Sequence, residues 1–144
     1  MCNNKYVGFQ IRIVSNLIKR KIDNLITDEF NGNITRIQGW IIDYIHKNKD
    51  RDIFQKDIEE EFSIRRSTAT IILKSMEKNN LITRSSVSYD ARLRKIELTE
   101  KAININKNFR KLISRFEEKL IEELSQEEID TFFDILGKIK MNLE

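Results

Sequence analysis

Apolar residues at Ile11, Val14, Ile18, Ile22 and Leu25 recur at spacings of three and four, with Lys19, Arg20, Lys21 and Asp23 on the other side. That period predicts an amphipathic helix over 11–25. Asp28 to Asn33 reads as a turn, with Gly32 free to take a left-handed backbone conformation. A second helix carries Ile34, Ile37, Trp40, Ile41, Tyr44 and Ile45 on a broad apolar face and ends near the polar run 48–52. Phe54 to Phe62 gives a short helix with Ile58 and Phe62 on one side, Ser63-Ile64 a brief turn, and Arg65 to Asn79 a further helix that buries Ala69, Ile72, Leu73 and Met76. Two short helices across a tight turn are the outline of a helix-turn-helix.

After Asn80, a residue suited to a left-handed helix cap, come two extended segments, Leu81 to Ser86 and Arg94 to Leu98, with 87–93 as a protruding loop between them. A helix-turn-helix followed by a hairpin is a winged helix. Thr99 caps a long helix whose stripe is Ala102, Ile105, Phe109, Leu112, Phe116 and Leu120. Ser125 with Glu128 fits a capping box for a last helix bearing Ile129, Phe132, Phe133, Leu136, Ile139 and Leu143. These helices and the first one carry more apolar surface than a compact winged helix of about 65 residues can cover. The expected fold is therefore mainly α with a small β-hairpin wing, a winged helix-turn-helix over 33–98. A helical dimerisation lobe is expected from 1–32 and 99–144 of two chains, giving a homodimer.

Charge sharpens this outline. The whole chain carries only +3. Residues 64–95 hold eight cations against Glu77 and Asp90, a net of +6, whereas the remainder has eighteen cations against twenty-one carboxylates, a net of −3. A localised basic block suits a polyanion, because each neutralised phosphate releases counterions. A merely solvated charged face is the plainer alternative. The face of the 65–79 helix opposite its buried stripe places Arg66, Thr70 and Lys74 four apart, with Ser67 and Ile71 alongside, all short or cationic side chains able to approach base edges and phosphates.

Other chemistry finds little support. The lone Cys2 cannot form an internal disulfide, and with the single His46 it makes no soft-ligand cluster, so no metal site is expected. No phosphate-binding glycine loop or nucleophile elbow is present, and His46 reads as a surface residue, so neither an enzyme nor a cofactor is expected. No apolar run approaches the roughly 18 residues that span a bilayer. Met1 to Gly8 has no signal-peptide apolar region, so a cytoplasmic protein with no membrane partner is expected.

The order of elements resembles the MarR family of bacterial regulators across essentially the whole chain. The resemblance is carried by Leu81-Ile82 after the recognition helix, Asp90-Ala91-Arg92 in the wing, and Leu98-Thr99-Glu100-Lys101 opening the long helix. It implies that Arg92 enters a DNA minor groove while Asp90 pairs with it and holds its orientation, which suits a guanidinium in a narrow, strongly negative groove. Two departures stand out. Asn80 replaces the glycine of many relatives, and Ile71 and Ser75 stand where relatives often place arginine, which shifts base readout toward thymine methyls and hydroxyl bonds.

The expected function is a sequence-specific regulator, a repressor, binding double-stranded DNA at a pseudo-palindromic site. Arg65, Arg84, Arg94 and Lys95 are expected at phosphates, Arg66, Ser67, Thr68, Thr70 and Lys74 at bases or phosphates, and Asp90 with Arg92 in the wing. The resemblance further implies release by a small aromatic effector, for which Trp40 and Tyr44 are the candidate wall. Some relatives use an N-terminal thiol as a peroxide sensor, but Cys2 has only Lys5 nearby to lower its pKa and reads as inert. The competing reading is a helical dimeric adaptor that uses the winged helix to bind protein. The +6 block weighs against it, since an adaptor has no need of cations on both helix and wing.

Overall fold

The computed structural model describes residues 5–144, so Cys2 lies outside the described residues. The chain divides into two compact units, the first ending at Leu112 and the second spanning Ile113–Glu144.

In the first unit, α1 (Val7–Phe30) runs further in both directions than its central stripe predicts. Ile22, Ile26 and Phe30 are buried at a spacing of four, and this continuing stripe keeps 28–30 helical where a turn was expected. The helix stops one residue later, where Asn31 (φ 52°) and Gly32 (φ 78°) are left-handed. α2 (Arg36–Lys47) begins with a capping box: Gln38 N donates to Thr35 Oγ1 at 3.3 Å and Thr35 N to Gln38 Oε1 at 3.1 Å. α2 is the centre of this unit, with Ile41 and Ile42 fully enclosed and Ile45 buried.

α5 (Glu100–Leu120) crosses α2 where side-chain bulk is missing. Gly39 faces Phe109 so closely that a Cβ would overlap the ring. Trp40 meets the same ring edge-on, with centroids 5.4 Å apart. One turn further along α2, the buried Asp43 accepts from Asn106 Nδ2 at 3.2 Å and lies 2.6 Å from Lys47 Nζ and 3.7 Å from Arg110 Nε. An acid this deeply buried persists because its oxygens are paired.

α3 (Gln55–Phe62) and α4 (Arg66–Lys78) are joined by Ser63, left-handed at φ 50°. α4 ends in a Schellman motif: Leu81 N donates to Met76 O at 2.9 Å and Asn80 N to Glu77 O at 3.1 Å, with Asn80 at φ 59°. Thr99 Oγ1 donates to Asn80 O at 2.6 Å while accepting from Ala102 N at 3.2 Å, and Lys101 Nζ reaches Asn79 O at 3.1 Å. The first turn of α5 is thereby bonded to the last turn of α4.

The wing is an antiparallel pair, β1 (Ile82–Val87) and β2 (Asp90–Leu98), and this corrects the long loop expected over 87–93. Only Ser88 and Tyr89 turn. Register passes from Ser86↔Arg94 to Val87↔Asp90, so Ala91, Arg92 and Leu93 form a bulge on β2. A bulge keeps such residues extended while breaking strict alternation, which is how the segment resembles a loop in sequence. Along β2, Ile96 N donates to Ile53 O at 2.7 Å, tying the wing to the segment before α3.

The second unit holds the end of α5 and α6 (Gln126–Leu143). Ser125 caps α6, accepting from Glu128 N at 3.1 Å and donating to Glu128 Oε1 at 3.2 Å. Phe132, Phe133 and Ile135 on α6 are exposed. Replacing Gly39 with alanine forces a methyl against Phe109 and is expected to cost about 1–3 kcal/mol of stability, measured by urea unfolding.

Candidate nucleic-acid interface

α4 presents a face that the rest of the first unit leaves open. Ala69, Leu73 and Met76 point inward and are fully buried, and that stripe fixes which side chains point out. Arg65, Arg66, Ser67, Thr68, Ile71 and Lys74 are all exposed, Ile71 to 70%. An isoleucine this open has no packing role, and it stands between cations and hydroxyls.

Two hydroxyls expected on this face are engaged elsewhere. Thr70 is half-buried, donating to Arg66 O at 2.9 Å and accepting from Gln55 Nε2 at 2.9 Å, so it braces α3 against α4. Ser75, considered for base readout, is half-buried and accepts from Gln38 Nε2 of α2 at 3.4 Å. Both contacts join residues far apart in sequence, and no local pattern announces them.

In the wing, Asp90 holds Arg92 three ways: Oδ1 accepts from Arg92 N at 2.9 Å and from Nε at 3.3 Å, and Oδ2 accepts from Nη2 at 3.3 Å. The arrangement is two-pronged, yet the Arg92 side chain is 90% exposed. A cation is thus oriented on one edge and still open to solvent. Arg94 is exposed, with Nη2 donating to Arg84 O at 3.2 Å, whereas Arg84 is half-buried and its Nε has no hydrogen-bond partner. Lys95 projects from the opposite side of β2 to Arg94, as alternation requires. It pairs with Glu97 at 3.3 Å and lines a cavity of about 330 Å³ with Ile45, His46, Asp52 and Ile103, so it does not join the other wing cations.

Residues 33–93, the span of this helix-turn-helix and most of its wing, match the MarR family. The winged helix is a MarR-family domain. The whole chain is also similar to solved MarR-type regulators. A DNA complex of MepR from Staphylococcus aureus is 25% identical, with a TM-score of 0.89 over 99% of this chain and 100% of that one. The transcription regulator MarR from Oenococcus oeni PSU-1 is 29% identical, with a TM-score of 0.79 over 94% and 99%. The haem sensor PefR from Streptococcus agalactiae, solved with haem, is 23% identical with a TM-score of 0.67 over 96% and 95%, which supports the fold alone.

Within this domain, Trp40 and Tyr44, four apart on α2, meet different rings. Trp40 packs on Phe109, while Tyr44 packs edge-on against Phe62 at 6.0 Å and its hydroxyl accepts from Arg51 Nη2 at 2.8 Å. Neither lines the cavity beside Lys95, nor the one of about 400 Å³ between Asp23 and Ile37. Tyr89 Oη donates to Asp52 Oδ2 across thirty-seven residues, a partner that no local pattern announces.

The Arg92 hydrogen bonds, from the guanidinium first and then the backbone, hold the Asp90 carboxyl below the usual carboxylate range. The folded form therefore binds the proton less well than the unfolded one. The clamp is complete at neutral pH and is lost only as pH falls through the lowered native value. By NMR, Asp90 is expected to titrate below the ordinary aspartate value and to rise toward it in Arg92→Ala; an unchanged Asp90 midpoint in that variant would contradict the clamp.

Proposed function

We propose that this chain is a sequence-specific double-stranded-DNA-binding transcriptional regulator, a cytoplasmic homodimer that acts as a repressor on a pseudo-palindromic site. The observation that carries the reading is Arg92, bound by Asp90 on three nitrogens yet 90% exposed at the wing, beside an α4 face bearing Arg65, Arg66 and Lys74. An oriented guanidinium on a thin hairpin suits a narrow minor groove, and an exposed helix with short polar side chains suits the adjacent major groove. Arg65, Arg84 and Arg94 take phosphates; Arg66, Ser67, Thr68 and Lys74 meet bases or phosphates, and Ile71 meets thymine methyls.

Apolar surface supports the homodimer. On α1, Phe9, Val14 and Leu17 are exposed, and in the second unit Phe132, Phe133 and Leu143 are exposed. Contiguous open apolar faces of this kind are normally closed by a partner, and a second copy carries matching ones. Two α4 helices of a dimer then read half-sites about one helical turn, roughly 34 Å, apart. Occupying such a site excludes other proteins from it, which is repression in its simplest form.

Selection of bound duplexes from a random pool tests the reading, with paired half-sites as the expected product. Affinity for a selected duplex is expected to fall with salt at a log–log slope of about −0.9 per neutralised phosphate. Arg92→Glu combined with Lys74→Glu is expected to abolish retention on DNA while leaving the circular dichroism spectrum intact. A flat salt response, or full retention by that variant, would remove the reading.

Release by a small aromatic effector is the further part of the proposal, and Trp40 on α2 is its reporter. Trp40 is the sole tryptophan, half-buried against Phe109, so its emission reports on the α2–α5 contact. A saturable change on titrating simple phenolic compounds is the expected outcome, and a flat titration would discard the effector.

A further inference from the structure

Between the pairs Ser86↔Arg94 and Val87↔Asp90 the wing has a bulge of three residues with Arg92 at its centre. The hairpin ladder therefore holds the wing tip through a single register pair, Val87↔Asp90. Tyr89 sits in the turn beyond that pair and is 65% exposed, so burial of its ring does little to fix it. Its hydroxyl, however, donates to Asp52 Oδ2 at 2.9 Å, across thirty-seven residues of chain. Asp52 stands on a firm base: the next residue, Ile53, is 2% exposed and its carbonyl accepts from Ile96 N of β2 at 2.7 Å. On the other side, Tyr89 is followed directly by Asp90, whose carboxylate grips Arg92. One connected path of bonds thus runs from the buried Ile53 through Asp52, Tyr89 and Asp90 to the exposed guanidinium.

We infer that Tyr89 is a positioning residue for Arg92: its hydrogen bond to Asp52 pins the wing turn to the segment between α2 and α3 and so fixes the pose from which Arg92 enters DNA. The inference rests on the DNA-binding reading above. Asp90 sets the direction of the guanidinium relative to the wing, and Tyr89 sets the wing relative to the helix-turn-helix. Both must hold if helix and wing are to meet neighbouring grooves together, because an ordering cost left unsettled before binding is subtracted from affinity. Tyr89 touches no DNA in this scheme.

Tyr89→Phe removes the hydroxyl and changes neither charge nor ring, which separates the tether from any electrostatic effect. Losing one hydrogen bond of this kind is expected to weaken binding to a selected duplex by about 3- to 10-fold in fluorescence anisotropy, with the melting temperature little changed. In an Arg92→Ala background the same substitution is expected to have no further effect, since nothing is left to position. Without DNA, amide exchange across 85–92 is expected to quicken in Tyr89→Phe while α4 exchanges as before. Wild-type affinity in Tyr89→Phe, an equal loss in both backgrounds, or unaltered exchange in the wing would each overturn the inference. If the wild-type chain binds no duplex at all, the DNA-binding reading fails and the positioning role with it, while the exchange measurement still decides whether the tether orders the wing.

Discussion

The ring of Phe109 seated on Gly39 is the contact around which the first unit is organised. Only the absence of a side chain at that point lets α5 lie so close to α2, and everything else along the seam depends on that approach. Trp40 can then meet the ring edge, and one turn on, Asn106 and Arg110 can reach the buried Asp43. The apolar contact sets the distance and the polar cluster sets the register. A shift of α5 along α2 would take Asn106 and Arg110 from Asp43 and leave the buried carboxylate with Lys47 of its own helix alone. The seam is joined to α4 through Thr99 and Lys101, which close the carbonyls of Asn80 and Asn79, so the helix with the exposed basic face is anchored at its end to the start of α5.

The charge pattern gains meaning from this anchoring. Eight cations in a stretch of thirty-two residues would be a solvated face if their side chains were paired off or scattered. Instead Arg65, Arg66 and Lys74 are open on one helix and Arg94 on the wing, and Arg92, though paired with Asp90, stays exposed, while Lys95 is half-buried against Glu97. Holding like charges together in this way costs self-repulsion that a stable fold has no reason to accept unless an anion offsets it.

Much of this was legible in the residues because it is local. The three-and-four spacing of apolar positions yields the helices, Asn80 its left-handed cap and Thr99 its capping hydroxyl, since each depends on neighbours within a turn or two. The Asp90 and Arg92 pair is likewise two residues apart. What was not legible is long-range. Thr70 is bound by Gln55, Ser75 by Gln38 and Asp43 by Asn106, and each partner is chosen by the way helices cross. The capping box of α2, by contrast, is local, with Thr35 and Gln38 three apart. The short wing turn is hidden in the sequence because a three-residue bulge interrupts the alternation by which strands are recognised.

The same bulge bears on how the protein behaves at high concentration. β2 has a neighbour on each side, β1 and the Ile53 carbonyl, so the open hydrogen-bonding edge of the wing is that of β1. Such an edge is a template for another chain's strand wherever it is long, flat and apolar. Here β1 is six residues long, carries Thr83, Arg84, Ser85 and Ser86, and is bent at its far end by the irregular register. A basic hairpin that must stand clear of its own core is in this way kept from stitching itself to its neighbours.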